Sequence, residues 1–166
     1  MRTLIAAPVI TLAVILQSSI VSRVTLLSGF ADLPLVMLAA WASQEDVDSA
    51  WHWALATGAL VGFVSGMSWI VPTLSYLVTV ALAQALQRRI WRAPLLAMFS
   101  VTFLGTIVSS LLSFAALRFS GAALSINEVF GLLTMPIILL NMLLAIPVFA
   151  MMRDLARWVY PAPEVE

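Results

Sequence analysis

Few side chains in this 166-residue chain could serve as acid, base, nucleophile or metal ligand. There is one His, no Cys, and eight Asp or Glu. Catalysis needs such groups held close together in a defined site. His52 lies between Trp51 and Trp53, which reads as a side chain at a membrane interface rather than as a catalytic base. The loop Glu45-Asp46-Val47-Asp48 lacks the glycine and ligand spacing of a calcium loop and reads as solvated. Asp32 and Glu128 are the other acids outside the C-terminal region, and both are expected at outer ends of spans, in headgroup water. Without Cys there is no disulfide and no thiolate zinc site. No catalytic residue, no cofactor and no metal site is therefore expected.

The elements that would carry these residues are set by composition. Hydrophobic residues make up 63% of the chain and charged residues 10%. The mean hydropathy is +1.07. Soluble domains average about 25% charged residues, so the expected solvent here is the lipid bilayer. A nucleic-acid binder would need a basic face, and eight Arg balanced by eight acids give none. A crossing helix needs about 20 mostly apolar residues. The hydropathy pattern predicts one integral-membrane helical domain over 1–166, with spans at about 3–21, 29–43, 50–69, 72–87, 94–117 and 129–152. The first is read as a span rather than a cleaved signal, because no small-x-small site follows Gln17-Ser18-Ser19. The second is the weak one: its uninterrupted apolar part, Leu33 to Ala42, would rise only ~15 Å. It must be a short span or a re-entrant piece buried among other helices. Residues 50–87 carry no Asp, Glu, Lys or Arg and would be ~57 Å long as one helix, so they must fold back. The break is expected at Ser68 to Thr73, with Pro72 in the first turn of the next helix. Arg153 to Tyr160 should continue the last span along the interface until Pro161 stops it.

Cytoplasmic loops are enriched in Arg. Six spans with the N-terminus inside place Arg2, Arg88, Arg89, Arg92, Arg153 and Arg157 inside, and Arg23 and Arg118 outside. Five spans give the same ratio with Arg2 and Arg23 exchanged. The expected fold is thus an all-α, polytopic bundle of six, alternatively five, transmembrane helices with a cytoplasmic C-terminus.

Small residues supply the strongest internal pattern. Ala54, Gly58, Gly62 and Gly66 recur every four residues on one face of the third span. Gly105, Ser109 and Ser113 repeat the idea on the fifth, beside Thr102, Thr106 and Ser110. In lipid, helices join through close packing and hydrogen bonds, so such faces are expected to hold the bundle or a partner helix. Asn141 falls near mid-membrane, where its amide needs partners; Gln17 is a candidate counterpart. Pro136 and Pro147 each leave the carbonyl four residues earlier unpaired and predict bends in the last span.

Three segments resemble the rod shape-determining protein MreD family. Leu16-Gln17-Ser18-Ser19 is similar to the family's Leu-Gln-Ser start. Ala31-Asp32-Leu33-Pro34 resembles its Pro-Asp-Leu pattern. Asn141-Met142-Leu143-Leu144-Ala145-Ile146-Pro147, followed by Arg153, is like its Asn-x-Leu-Leu-x-x-Pro segment and basic turn. The order of the segments extends the resemblance over nearly the whole chain. Ser68-Trp69 stands where the family often has an acid, and Ala31 where it often has Pro. The resemblance implies a non-enzymatic protein of the bacterial inner membrane that binds MreC and acts in cell elongation and peptidoglycan synthesis. RodA, a class B penicillin-binding protein and MreB are implied as further, indirect partners. The family also resembles the six-helix, vitamin-binding subunits of energy-coupling-factor transporters, which supply the alternative reading.

Overall fold

The computed structural model describes residues 5–45, 47, 49–66, 68–87, 94–122 and 125–160. Arg2, Asp46, Asp48, Arg88, Arg89, Arg92 and Pro161, used in the sequence reading, lie outside these. The fold is an all-α bundle. Its helices are α1 (Ala6–Ser19), α2 (Leu33–Ala42), α3 (Ala50–Ser65), α4 (Ile70–Gln87), α5 (Pro94–Phe119), a single turn α6 (Ile126–Glu128) and α7 (Met135–Val159). A π-helical stretch, Val129–Thr134, joins α6 to α7. Four helical segments are long and apolar enough to cross a membrane: Ala6–Arg23, Ile70–Gln87, Pro94–Phe119 and Val129–Val159.

The helices run alternately between two ends. At one end the tips of α1, α3 and α5 meet the starts of α2 and α4 and the π stretch around a cavity. At the other end Trp41 of α2 stacks on Trp53 of α3, with ring centroids 4.4 Å apart. Tyr160, just past α7, lies 6.3 Å from Trp41. Trp53 is buried, while His52 and Trp51 beside it are exposed.

The short apolar run has become the centre of the bundle. Residues Pro34 to Ala42 of α2 are all buried. A helix that is hydrophobic all round has no solvent face to present and packs inside. α2 touches α1, α3, α4, α5 and α7. At ~15 Å it is half the length of a span. Residues 25–30, before it, form not helix but a two-stranded antiparallel hairpin, Thr25–Leu26 with Gly29–Phe30. No strand was expected there.

Boundaries differ from expectation by a few residues where local chemistry decides. α3 stops at Ser65 rather than near 69, because Gly66 takes a left-handed conformation (φ +66°) that ends the helix. α4 therefore starts at Ile70, with Pro72 in its first turn. Pro136 was expected to bend the interior of the last span. It lies instead in the first turn of α7, where a missing N–H costs little. The Leu132 carbonyl, four residues before it, accepts the N–H of Ser28 from the hairpin at 3.4 Å. Pro147 lies inside α7, which continues through it to Val159.

Candidate functional site, a polar network beneath an open cavity

Between strand β2 (Gly29–Phe30) and α2 the chain passes through the bundle with its peptide groups outside any sheet or helix. Inside a membrane such groups must find partners in the protein. Two side-chain amides supply them. Gln17 of α1 donates through Nε2 to the Ala31 carbonyl at 2.8 Å and accepts the Leu33 N–H on Oε1 at 2.9 Å. Asn141 of α7 accepts the Asp32 N–H on Oδ1 at 2.7 Å. Its Nδ2 donates to Thr106 Oγ1 of α5 at 2.8 Å, and that hydroxyl donates to the Thr102 carbonyl at 2.6 Å. Asn141 and Thr106 are fully buried.

Asp32 is the hinge of this network. Its Oδ1 accepts the Leu35 N–H at 3.0 Å, which caps α2, and the hydroxyl of Tyr76 from α4 at 3.1 Å. Its Oδ2 has only the longer 3.4 Å contact with Tyr76. Pro34 follows in the first turn, preset for a helix start. The expectation that Asp32 sits in headgroup water is therefore corrected. It turns inward, because α2 begins inside the bundle and its first N–H groups need an acceptor. The pairing of Gln17 with Asn141 is corrected too. They do not bond each other but grip successive peptide groups of residues 31–33 from opposite sides.

Above the network lies a cavity of about 560 Å³, which Asp32, Tyr76, Thr106 and Asn141 line from below. Ser109 and Ser113 of α5 line it as well. They face open space rather than a packed helix, which corrects the reading of that stripe as a contact face. Gly105, one turn earlier, does pack: a Cβ there would fall 2.7 Å from Thr79 Oγ1. On α3, Gly58 and Gly62 are already covered by the same chain. A Cβ on Gly58 would lie 2.4 Å from Thr73 Cα, and one on Gly62 2.4 Å from Trp69 Cα. Ala54 is buried in the core. Gly66 meets nothing within 4 Å and belongs to the turn, not to the packing face. Arg153 is exposed beside Asp154 at 3.6 Å, a surface pair of little energetic weight.

Sequence reasoning missed Tyr76, although it is one of only two Tyr and sits in the uncharged stretch 50–87. It also missed the hydroxyls of Ser18, Ser22, Ser65 and Ser75, which line the cavity from α1, the 3-10 turn after it (Val21–Arg23), α3 and α4. Among the described residues no cluster of three or more His, Cys, Asp or Glu could hold a metal ion. Four spanning helices make this a membrane protein. Comparison with protein-family models, curated proteins and solved structures finds no match.

Proposed function

We propose that the chain is a non-enzymatic scaffold in the bacterial cytoplasmic membrane, binding MreC and helping to regulate peptidoglycan synthesis in cell elongation. The observation that supports this reading is the convergence of the three resembling segments. Gln17, Asp32 and Asn141 come from three helices far apart in sequence and meet in one hydrogen-bonded network. A shared motif set that holds a fold together is what a family likeness over the whole chain calls for. The docking face lies outside the α3 glycines, since Gly58 is covered by Thr73 of α4 and Gly62 by Trp69 just before it. Co-expression with the MreC of the source organism, followed by affinity purification in mild detergent, tests the reading. A stable complex is expected. Recovery of this protein free of MreC under conditions where both are made would overturn it.

The cavity favours one alternative, a vitamin-binding subunit of an energy-coupling-factor transporter. Against that stands the first helix. Those subunits dock their motor through an Ala-x-x-x-Ala face, whereas here Ala6 is followed by Ile10, Ala7 by Thr11 and Ala13 by Gln17. Native mass spectrometry of the purified protein separates the two: a stoichiometric vitamin supports the transporter reading.

A further inference from the structure

The cavity has a chemical bias that follows from counting protons. Each Ser or Thr hydroxyl has one proton to give and two lone pairs. Ser18 gives its proton to the Val14 carbonyl at 2.8 Å, and Ser22 to Ser18 at 3.0 Å. Ser65 gives its proton to Val61 at 2.6 Å, and Ser75 to Val71 at 2.9 Å. Thr134 gives its proton to Val129 at 3.3 Å. Back-bonding of this kind is the usual recourse of hydroxyls on helices. Here it leaves five cavity-lining hydroxyls able to offer only lone pairs. Asp32 adds a carboxylate whose Oδ2 has a single, long contact. Of the eight Ser and Thr hydroxyls besides Thr106, only Ser109, Ser110 and Ser113 are not engaged in a hydrogen bond within the described residues and can turn either way. Among the described residues no Arg, Lys or His lines the cavity.

Gln17 and Asn141 also line the cavity, each with one amide N–H beyond those already bonded; the remaining walls are apolar, formed by side chains such as Val14, Leu35, Val61, Phe114, Leu133 and Ile137. The volume of about 560 Å³ lies within the ~300–1,000 Å³ of small-molecule sites, which combine apolar walls with a few convergent polar groups. The π-helical stretch contributes Val129, Leu133 and Thr134 to the lining. Such stretches are rare and occur frequently at functional sites.

We propose that this cavity binds a protonated primary amine carried on an apolar body, with the ammonium group on Asp32 and the neighbouring hydroxyl lone pairs. An ammonium has three donors and no acceptor, which matches a lining of the opposite kind. An anion would face the carboxylate without any cation to receive it. A neutral alcohol has one proton to give, so it can serve Asp32 Oδ2 or a hydroxyl lone pair but not both, and it brings no charge to the carboxylate. A hard divalent cation takes six or more oxygens, several of them carboxylate, and one carboxylate lines this space. The amine can arrive free or as the ethanolamine headgroup of a lipid. The site does not rest on the scaffold reading.

The test uses the full chain in phosphatidylcholine nanodiscs and three probes of one shape: phenethylamine, 2-phenylethanol and 3-phenylpropionate. Phenethylamine is expected to bind at least ten-fold more tightly than the alcohol, with the carboxylate weakest. Asp32→Asn should abolish that preference. Because Asp32 also caps α2, Ser113→Leu serves as a second variant. It fills the cavity from α5 without touching the network, and should weaken phenethylamine binding while leaving the melting temperature nearly unchanged. Adding phosphatidylethanolamine to the nanodiscs distinguishes the sources. Competition with the probe, and retention of that lipid in native mass spectra, identifies the headgroup; no competition identifies a free amine. Equal binding of all three probes, or an amine preference that survives Asp32→Asn, overturns the proposal.

Discussion

Two helices of this protein carry the same sequence device and use it in opposite ways. On α3, Gly58 lets the backbone of α4 approach, and Gly62 that of Trp69 just before α4, until no Cβ would fit. On α5, Gly105 does the same against Thr79, but Ser109 and Ser113 one and two turns later line a hollow. The difference lies in the neighbours. α3 and α4 are consecutive, α3 ending at Ser65 and α4 starting at Ile70, so they are held side by side. α5 is 26 residues long against 18 for α4 and 16 for α3. Toward its C-terminal end it lines the cavity, with the ends of α1 and α3 on other sides of the hollow. A small residue permits close approach; connectivity and length decide whether a neighbour takes it up.

The comparison can be broken by placing one bulky side chain on each stripe. Gly58→Leu should have the largest effect. Its Cβ alone would strike backbone atoms of Thr73, and overpacking typically costs about 1–3 kcal/mol, more where backbone must move. A fall of ten degrees or more in the thermal midpoint, or loss of a monodisperse peak in detergent, is expected. A midpoint close to that of the parent protein would show that α3 and α4 are not locked at this face. Asn141→Leu should come next. It strips partners from the Asp32 N–H and from Thr106. Hydrogen bonds between membrane helices average ~0.6 kcal/mol and reach ~1.7, so a loss of about 1–2 kcal/mol is expected in equilibrium unfolding. Ser113→Leu should be smallest, within about 0.5 kcal/mol, because the side chain enters open space. If it destabilises as much as Gly58→Leu does, the α5 stripe is a packing face after all.

Some of this was open to reading from the sequence and some was not. Gln17, Asp32 and Asn141 were conspicuous because amides and acids stand out in an apolar stretch, and each had to be satisfied somewhere. Their partners were not readable. Which peptide group Gln17 grips depends on how α2 enters the bundle, and that depends on a hairpin held by a carbonyl freed at Pro136. The shortness of α2 was plain from the count of apolar residues; its central position follows only once five other helices surround it. The cavity left no mark in composition. A hollow is a property of spacing between helices, and the serines beside it have the same periodicity as serines that pack.

The amide of Asn141 has a consequence for the order in which the bundle can be completed. α2 comes early in the chain and α7 last, 109 residues apart at the Asp32–Asn141 bond. Until α7 is inserted, the peptide N–H of Asp32 is without this acceptor, and a bare N–H in hydrocarbon is strongly disfavoured. α2 cannot compensate by spanning on its own, since it is half the necessary length. The second helix is thus finished by the last, and a chain lacking α7 would hold its central helix in place without one of the two amides that secure it.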